Sequence, residues 1–164
     1  MGRWRPPAPK SSPYITPAGF EALQAELDGI WVRRREVVKA LAAAAAEGDR
    51  SENAEYIYRK KELGGLDRRI RDLQKRLPEL TVVRETHNGD RVFFGATVEV
   101  CDDDGEIQAY RLVGADEADA RLSAISIDSP LAKALLGKQV DDEVTISVGD
   151  TTSTVCIESI RYEA

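Results

Sequence analysis

Asp49 and Glu52 stand three residues apart in the stretch AAAAAEGDRSENAEY, residues 42–56. Carboxylates at this spacing have two uses. One is local: Asp49-x-x-Glu52 fits a capping box with Asp in place of Ser or Thr, and acids at a helix N-terminus complement its dipole. The other is to hold a hard cation. Mg²⁺ takes one or two protein carboxylates and completes its shell with water and phosphate oxygens. Two carboxylates cannot cage the ion alone, so a functional pair would complete a metal site supplied by a partner. The spacing leaves both uses open.

The elements around the pair are legible. Thr16 and Pro17 give a helix start, cap then first-turn proline. Apolar residues follow at Phe20, Leu23, Leu27, Ile30, Val37 and Leu41, with Trp31 and Val38 alongside. This is a heptad rhythm, and alanines 42–46 continue it with strong helix propensity and little bulk. A second helix begins near Asp49–Asn53 with a seam of Tyr56, Leu63, Leu66, Ile70, Leu73 and Leu77. Arg59 occupies one seam slot, and Pro78 ends the helix. GDRSEN is short enough to fold the arms back on each other. The expectation is an antiparallel coiled-coil hairpin with arms of about 30 residues, roughly 45 Å each at 1.5 Å per residue. Gly64-Gly65 in the second arm costs helix stability and has no account in the pattern beyond a local bend.

The rest reads as β with one short helix. VFFGATVEVCD and EIQAYRLVG flank the turn DDDG as a hairpin, and LSAISI, EVTISVG and STVCIESIR are three further strands. In SPLAKALLGK, Ser129 caps, Pro130 starts and Gly137 stops a helix. The fold class is α+β: residues 1–13 a disordered lead, 14–78 the hairpin with its acidic tip, and 79–164 a mostly antiparallel sheet wrapped on one helix.

Charge separates the modules. Residues 16–77 hold 13 basic and 11 acidic residues, whereas residues 78–164 hold 7 and 18. A domain so acidic is repelled by nucleic acid and suits a protein surface. Residues 59–76 instead hold eight basic residues against three acids, an excess that suits phosphates without sequence readout; solvated flank positions paired with Glu and Asp are the competing reading. Tyr58 is the better candidate to stack on a base, since Tyr56 fits the seam. No apolar run approaches the ~18 residues a membrane span needs, and the basic, Pro-rich opening lacks the apolar segment of a secretory signal. Both point to the cytoplasm. Cys101 and Cys156 lie far apart in strand-like runs, without a CxxC pair and with His87 as the only histidine. That spacing argues against zinc and for small, partly buried strand residues in a reducing compartment.

The runs GDRSENA, YRKK…DRRIR, VFFGATVEV and ISIDSPLAKALLGK resemble the GreA/GreB transcript cleavage factors over about residues 14–162. The resemblance implies an FKBP-like C-terminal domain that docks on bacterial RNA polymerase through Asp128, Ser129, Pro130 and Leu131. It implies a coiled coil that enters the secondary channel and meets the 3′ end of backtracked RNA. Asp49 and Glu52 would then be the catalytic carboxylates, sharing a Mg²⁺ only in the polymerase complex, with no cofactor bound by the chain alone. Arg50, Ser51, Asn53 and Glu55 would support the tip. Arg33, Arg34, Lys39, Arg59, Lys60, Arg68 and Arg69 would face RNA. The chain would be an accessory factor rather than an enzyme, a monomer with no sequence-specific DNA binding. The alternatives are a channel occupant that regulates without promoting cleavage, against which the intact acid pair argues, and a plain coiled-coil adaptor.

Overall fold

The computed structural model describes residues 6–47, 53–85 and 87–163. The chain divides into two compact units, Phe20–Leu80 and Met1–Gly19 with Thr81–Ala164.

Helix α1 spans Pro17–Ala46 and helix α2 spans Ala54–Arg76. Thr16 caps α1 as expected, its Oγ1 accepting from Gly19 N at 3.0 Å. The second arm is shorter than expected, 23 residues or about 35 Å. It starts only after Asn53, whose side chain takes the capping position. It ends in a 3₁₀ turn at Leu77–Glu79, where Pro78 lacks the N–H to continue an α-helix. The apolar seam is thin. Leu23, Val37, Ala44, Ile70 and Leu73 are buried, Phe20, Leu27, Ile30, Leu41, Leu63 and Leu66 are half-buried, and Trp31 and Val38 are exposed. The helices run antiparallel, since Glu26, Arg33 and Ala44 of α1 meet Arg69, Glu62 and Asn53 in that order.

The expected hairpin boundary at residue 14 moves to residue 20, because residues before it are bound into the β unit. Strand β1 (Tyr14–Ile15) pairs in parallel with β2 (Thr81–Val82), and Ile15 is fully buried. Glu117 holds Thr16 at both its backbone N–H, 2.7 Å, and its hydroxyl. The lead expected to be disordered through residue 13 is fastened at its end: Ser12 donates to Asp128, and Pro13 O accepts from Thr81 N.

The five expected strands are β3 (Ala96–Cys101), β4 (Ile107–Val113), β5 (Ala124–Ser126), β6 (Glu143–Val148) and β7 (Thr151–Tyr162). They form one sheet in the order β5-β4-β3-β7-β6, antiparallel except for β4–β5. Alternation sends Ala96, Val98 and Val100 of β3 to one face, where Leu112, Val144 and Ile157 join Ala132 and Leu135 of helix α3 (Pro130–Leu135) in a single core. A register shift in β7 sets Ser159 against Glu99 but Ile157 against Val100, leaving Glu158 as the extra residue. This bulge lets Ile157 and Ile160 both reach the core side.

The sheet also brings together two residues that look remote in the sequence. Cys101 and Cys156 are register partners across β3 and β7, both free thiols. Burial pushes both up from the usual thiol range, and the Glu158 carboxylate adds to it, so they stay protonated at neutral pH.

Leu135 is fully buried and its neighbour Leu136 is exposed. Leu135→Ala is expected to lower the unfolding free energy by about 2–5 kcal/mol, and Leu136→Ala by less than 1 kcal/mol. Urea unfolding followed by circular dichroism measures both; equal effects would contradict this placement of the core.

Candidate nucleic-acid interface

Asn53 closes the hairpin. Its Oδ1 accepts from Tyr56 N at 3.1 Å, and its Nδ2 donates to the carbonyl of Ala44 at 2.9 Å. One side chain thus caps α2 and ties it to the last turns of α1, which the small Ala44 lets come close. In a capping box on Asp49, that acid would be the cap and Glu52 the third helical residue. The cap instead lies one residue beyond Glu52, so both acids precede it in the chain. Asp49, Arg50, Ser51 and Glu52 themselves lie outside the described residues. Glu55, the other acid of the motif, sits in the first turn of α2 and accepts from Arg59 Nε at 2.8 Å.

Arg59 fills a seam slot with charge, and a ladder of ion pairs satisfies it. Arg59 Nη1 reaches Glu62 at 3.0 Å, Glu62 accepts from Arg33 Nε of the opposite helix at 2.7 Å, and Arg33 also meets Glu36 at 3.2 Å. A second pair joins Arg34 Nε to Asp67 at 2.7 Å, with the Arg34 guanidinium 5.9 Å from the Trp31 ring centroid. A third is bidentate: Arg69 Nε and Nη2 meet the two Glu26 oxygens at 2.6 and 3.0 Å. Four of the seven residues expected to face RNA, Arg33, Arg34, Arg59 and Arg69, are therefore engaged within the hairpin. Lys39, Lys60 and Arg68 are exposed and form no ion pair among the described residues. Lys61, Arg71 and Lys75 are exposed in the same way. Pairing across a hairpin depends on register, which the spacing of charges along one arm does not encode.

The expected docking segment is built differently from its sequence reading. The Asp128 carboxylate accepts from the backbone N–H of Ser12 at 2.9 Å and from its hydroxyl, and Asp128 N donates to Ser126 Oγ at 3.1 Å. Ser129 Oγ accepts from Ala132 N at 3.2 Å, capping α3 as expected. Pro130 is exposed at the first helical position, and Leu131 is half-buried against the core. A cleft of about 310 Å³ opens beside Leu131, walled by Val100, Gln108, Tyr110, Ile146 and Val155. Of the four, only Pro130 is exposed; Asp128, Ser129 and Leu131 are half-buried. Ser12, 116 residues away in the chain, carried no signal that would link it to Asp128.

The architecture, a charged helical hairpin followed in the chain by an acidic α+β unit, does not give a function by itself; comparison with known proteins gives the class, a transcription elongation factor. Residues 13–82 match the family described as Transcription elongation factor, N-terminal, and residues 86–162 match Transcription elongation factor, GreA/GreB, C-term. The chain belongs to the GreA/GreB family. It is 58% identical over 165 residues to transcription elongation factor GreB of Xanthomonas axonopodis pv. citri, spanning 99% of this chain and 98% of that relative. It is 55% identical over 148 residues to GreB of Pseudomonas aeruginosa, spanning 89% and 88%. Among solved structures it is similar to Gfh1 of Thermus aquaticus, at 26% identity and a TM-score of 0.43 over 93% of this chain and 99% of that one. Among the described residues no helix is long and apolar enough to cross a membrane.

The ladder makes the hairpin acid-sensitive. Hydrogen bonding from Arg33 holds the Glu62 carboxyl below the usual glutamate range, and Arg69 does the same for Glu26. A carboxyl depressed on folding contributes its full share above its unfolded value, about 4.3, and loses it as the pH falls through its folded value. The melting temperature of the helical signal is therefore expected to be flat from pH 7 to 5 and to fall below pH 4. Glu62→Gln should lower it at pH 7 and flatten the acid decline. A decline of unchanged size in Glu62→Gln would contradict this role.

Proposed function

We propose that this chain binds bacterial RNA polymerase through the α3 end of its β unit, inserts the helical hairpin into the secondary channel, and stimulates cleavage of the 3′ end of backtracked RNA. The observation that carries this reading is the position of the α2 cap. With Asn53 in that role, the cap of α2 does not call on Asp49 or Glu52, which precede it in the chain.

The donor set fits a shared Mg²⁺ and not a private one. Among the described residues no three His, Cys, Asp or Glu side chains gather to hold a metal, and we assign the cation to Asp49 and Glu52, which lie between the two helices in the sequence. A Mg²⁺ with one or two protein carboxylates needs further oxygens, and polymerase carboxylates and RNA phosphate are of that kind. When bound, such an ion lowers the pKa of a coordinated water and stabilises the oxygen that leaves phosphorus. Asp49 and Glu52 supply negative charge to that site, and Arg50 meets an RNA phosphate. Ser51, Asn53 and Glu55 shape the turn, Asn53 and Glu55 through the bonds to Ala44 and Arg59. Lys39, Lys60 and Arg68 attract the strand, while the paired arginines brace the rod. The hydrolytic site belongs to polymerase, so the chain acts in the cytoplasm as an accessory factor.

Docking follows the division of charge. The acidic β unit suits a basic protein surface, with Pro130 presented outward and the cleft beside Leu131 open to an apolar side chain. Asp128 acts by fastening residue 12 to this loop.

In stalled, backtracked elongation complexes at fixed Mg²⁺, wild type is expected to shorten RNA from its 3′ end. Asp49→Ala/Glu52→Ala should slow this by about two orders of magnitude, the scale of losing a preorganised charge at a reacting centre, while polymerase binding and helicity stay intact. Equal cleavage by both proteins, with both bound, would instead favour a channel occupant that acts without promoting cleavage.

A further inference from the structure

Residues 1–11 hold Arg3, Arg5 and Lys10, no acid, the prolines Pro6, Pro7 and Pro9, and one aromatic side chain, Trp4. Residues 1–5 lie outside the described residues, and residues 6–11 are exposed. The segment starts from a fixed point, because Ser12 donates to the Asp128 carboxylate from its backbone N–H, at 2.9 Å, and from its hydroxyl. Three residues beyond Asp128, Leu131 lines the cleft of about 310 Å³, with Val100, Tyr110, Ile146 and Val155 as its other apolar walls. The rim of the cleft is acidic. Asp102 and Glu106 line it, and with Asp103 and Asp104 they set four carboxylates around the turn between β3 and β4. Asp102 accepts from the backbone N–H groups of Asp104 and Glu106, and none of the four acids forms an ion pair among the described residues. An indole between two arginines is the complement of an apolar cleft with such a rim. Trp4 precedes Ser12 by eight residues, a reach of up to about 25 Å at 3.1 Å per residue of polyproline conformation. Leu131 can be no more than about 11 Å from Asp128, three residues away. The prolines stiffen the spacer, and the Ser12 tether holds Trp4 at an effective concentration of order millimolar, so a weak contact suffices. A second copy of the acidic unit would instead meet the rim with like charge.

We infer that residues 1–11 fold back as a strap that seats Trp4 in the cleft beside Leu131, with Arg3 and Arg5 against the carboxylates of the β3–β4 turn. Trp4 then takes the place that a polymerase side chain would use, and the segment competes with docking. The competition rests on the function proposed above; the strap itself does not. Polymerase would bind only the fraction of molecules with the strap open, and its apparent affinity would fall by that fraction.

The sequence contains two tryptophans, so Trp31→Phe leaves Trp4 as the sole indole reporter in the full chain. Its emission and its quenching by acrylamide are compared with those of a peptide of residues 1–11, in which the indole is fully exposed. In the chain, Trp4 is expected to emit at shorter wavelength and to be quenched about threefold less than in the peptide. Two further variants should restore the quenching of the peptide. Ser153→Phe fills the cleft from an exposed position on its lining, and Arg3→Glu/Arg5→Glu repels the segment from the rim. Both should keep the wild-type melting temperature. Quenching equal to that of the peptide, or shielding unchanged by Ser153→Phe, would overturn the strap. So would shielding that rises with protein concentration, which would make the occupant the segment of a second copy. These measurements contain no polymerase. In a separate binding assay, Trp4→Ala should tighten binding of the full chain to polymerase about threefold or more, the factor expected of a strap that is closed most of the time. A shielded Trp4 with unchanged polymerase affinity in Trp4→Ala would overturn the competition and the use of this cleft in docking, while the strap would stand.

Discussion

The hairpin depends on charge to set the alignment of its two helices. Five buried side chains, three of them on α1 and two of those the small or β-branched Ala44 and Val37, are a thin seam for arms of 30 and 23 residues. Apolar contact alone is non-directional, and a seam this sparse tolerates sliding by a turn. Directional bonds remove that freedom. Glu26–Arg69, Arg33–Glu62 and Arg34–Asp67 are three links along the rod, and Asn53 to Ala44 is a fourth at its end. Each exposed pair is worth little in isolation. Their value lies in being satisfied together only in one register, which fixes where the two helices end and hence where residues 48–52 depart and return.

The same device recurs in the β unit at shorter range. Two carboxylates each grip one residue of the incoming chain by its N–H and hydroxyl together: Asp128 takes Ser12 and Glu117 takes Thr16. Between them β1 adds to β2 and buries Ile15. Glu117 also accepts from Gly114 N at 3.1 Å. Gly114 can have no side chain, because a Cβ there would sit 2.0 Å from the Tyr14 carbonyl. The loop leading into α3 is thus shaped by residues from the opposite end of the sequence, and the strong acidity of this unit is partly structural.

Local chemistry was readable in the sequence and partnership was not. Thr16-Pro17, Ser129-Pro130 and Gly137 mark helix ends through their own backbone preferences, and the structure follows them. The DDDG turn and the β-rich runs on either side of it likewise marked the first two strands of the sheet. The seam was readable for the same reason, since a heptad rhythm needs no knowledge of the other arm. What the sequence did not show is all long-range. The two-residue strands β1 and β2 are too short to show periodicity. The α2 start turned on whether Asp49 or Asn53 would cap, and both are good caps; the Asn53 amide wins because it also reaches the Ala44 carbonyl on the other arm. The arginines counted as an RNA surface are divided by cross-helix pairing, and Cys101 meets Cys156 only once β3 and β7 pair.

The central claim is that Asp49 and Glu52, which precede the Asn53 cap in the chain, complete a cation site that the chain cannot build alone. Its most direct measurement is the Mg²⁺ dependence of RNA cleavage in backtracked complexes with saturating Asp49→Asn factor. Loss of one ligand should raise the half-saturating Mg²⁺ concentration about tenfold or more, with cleavage recovering in part at high Mg²⁺. An unchanged half-saturating concentration with a reduced plateau would contradict the claim, because the carboxylate would then act on something other than the metal.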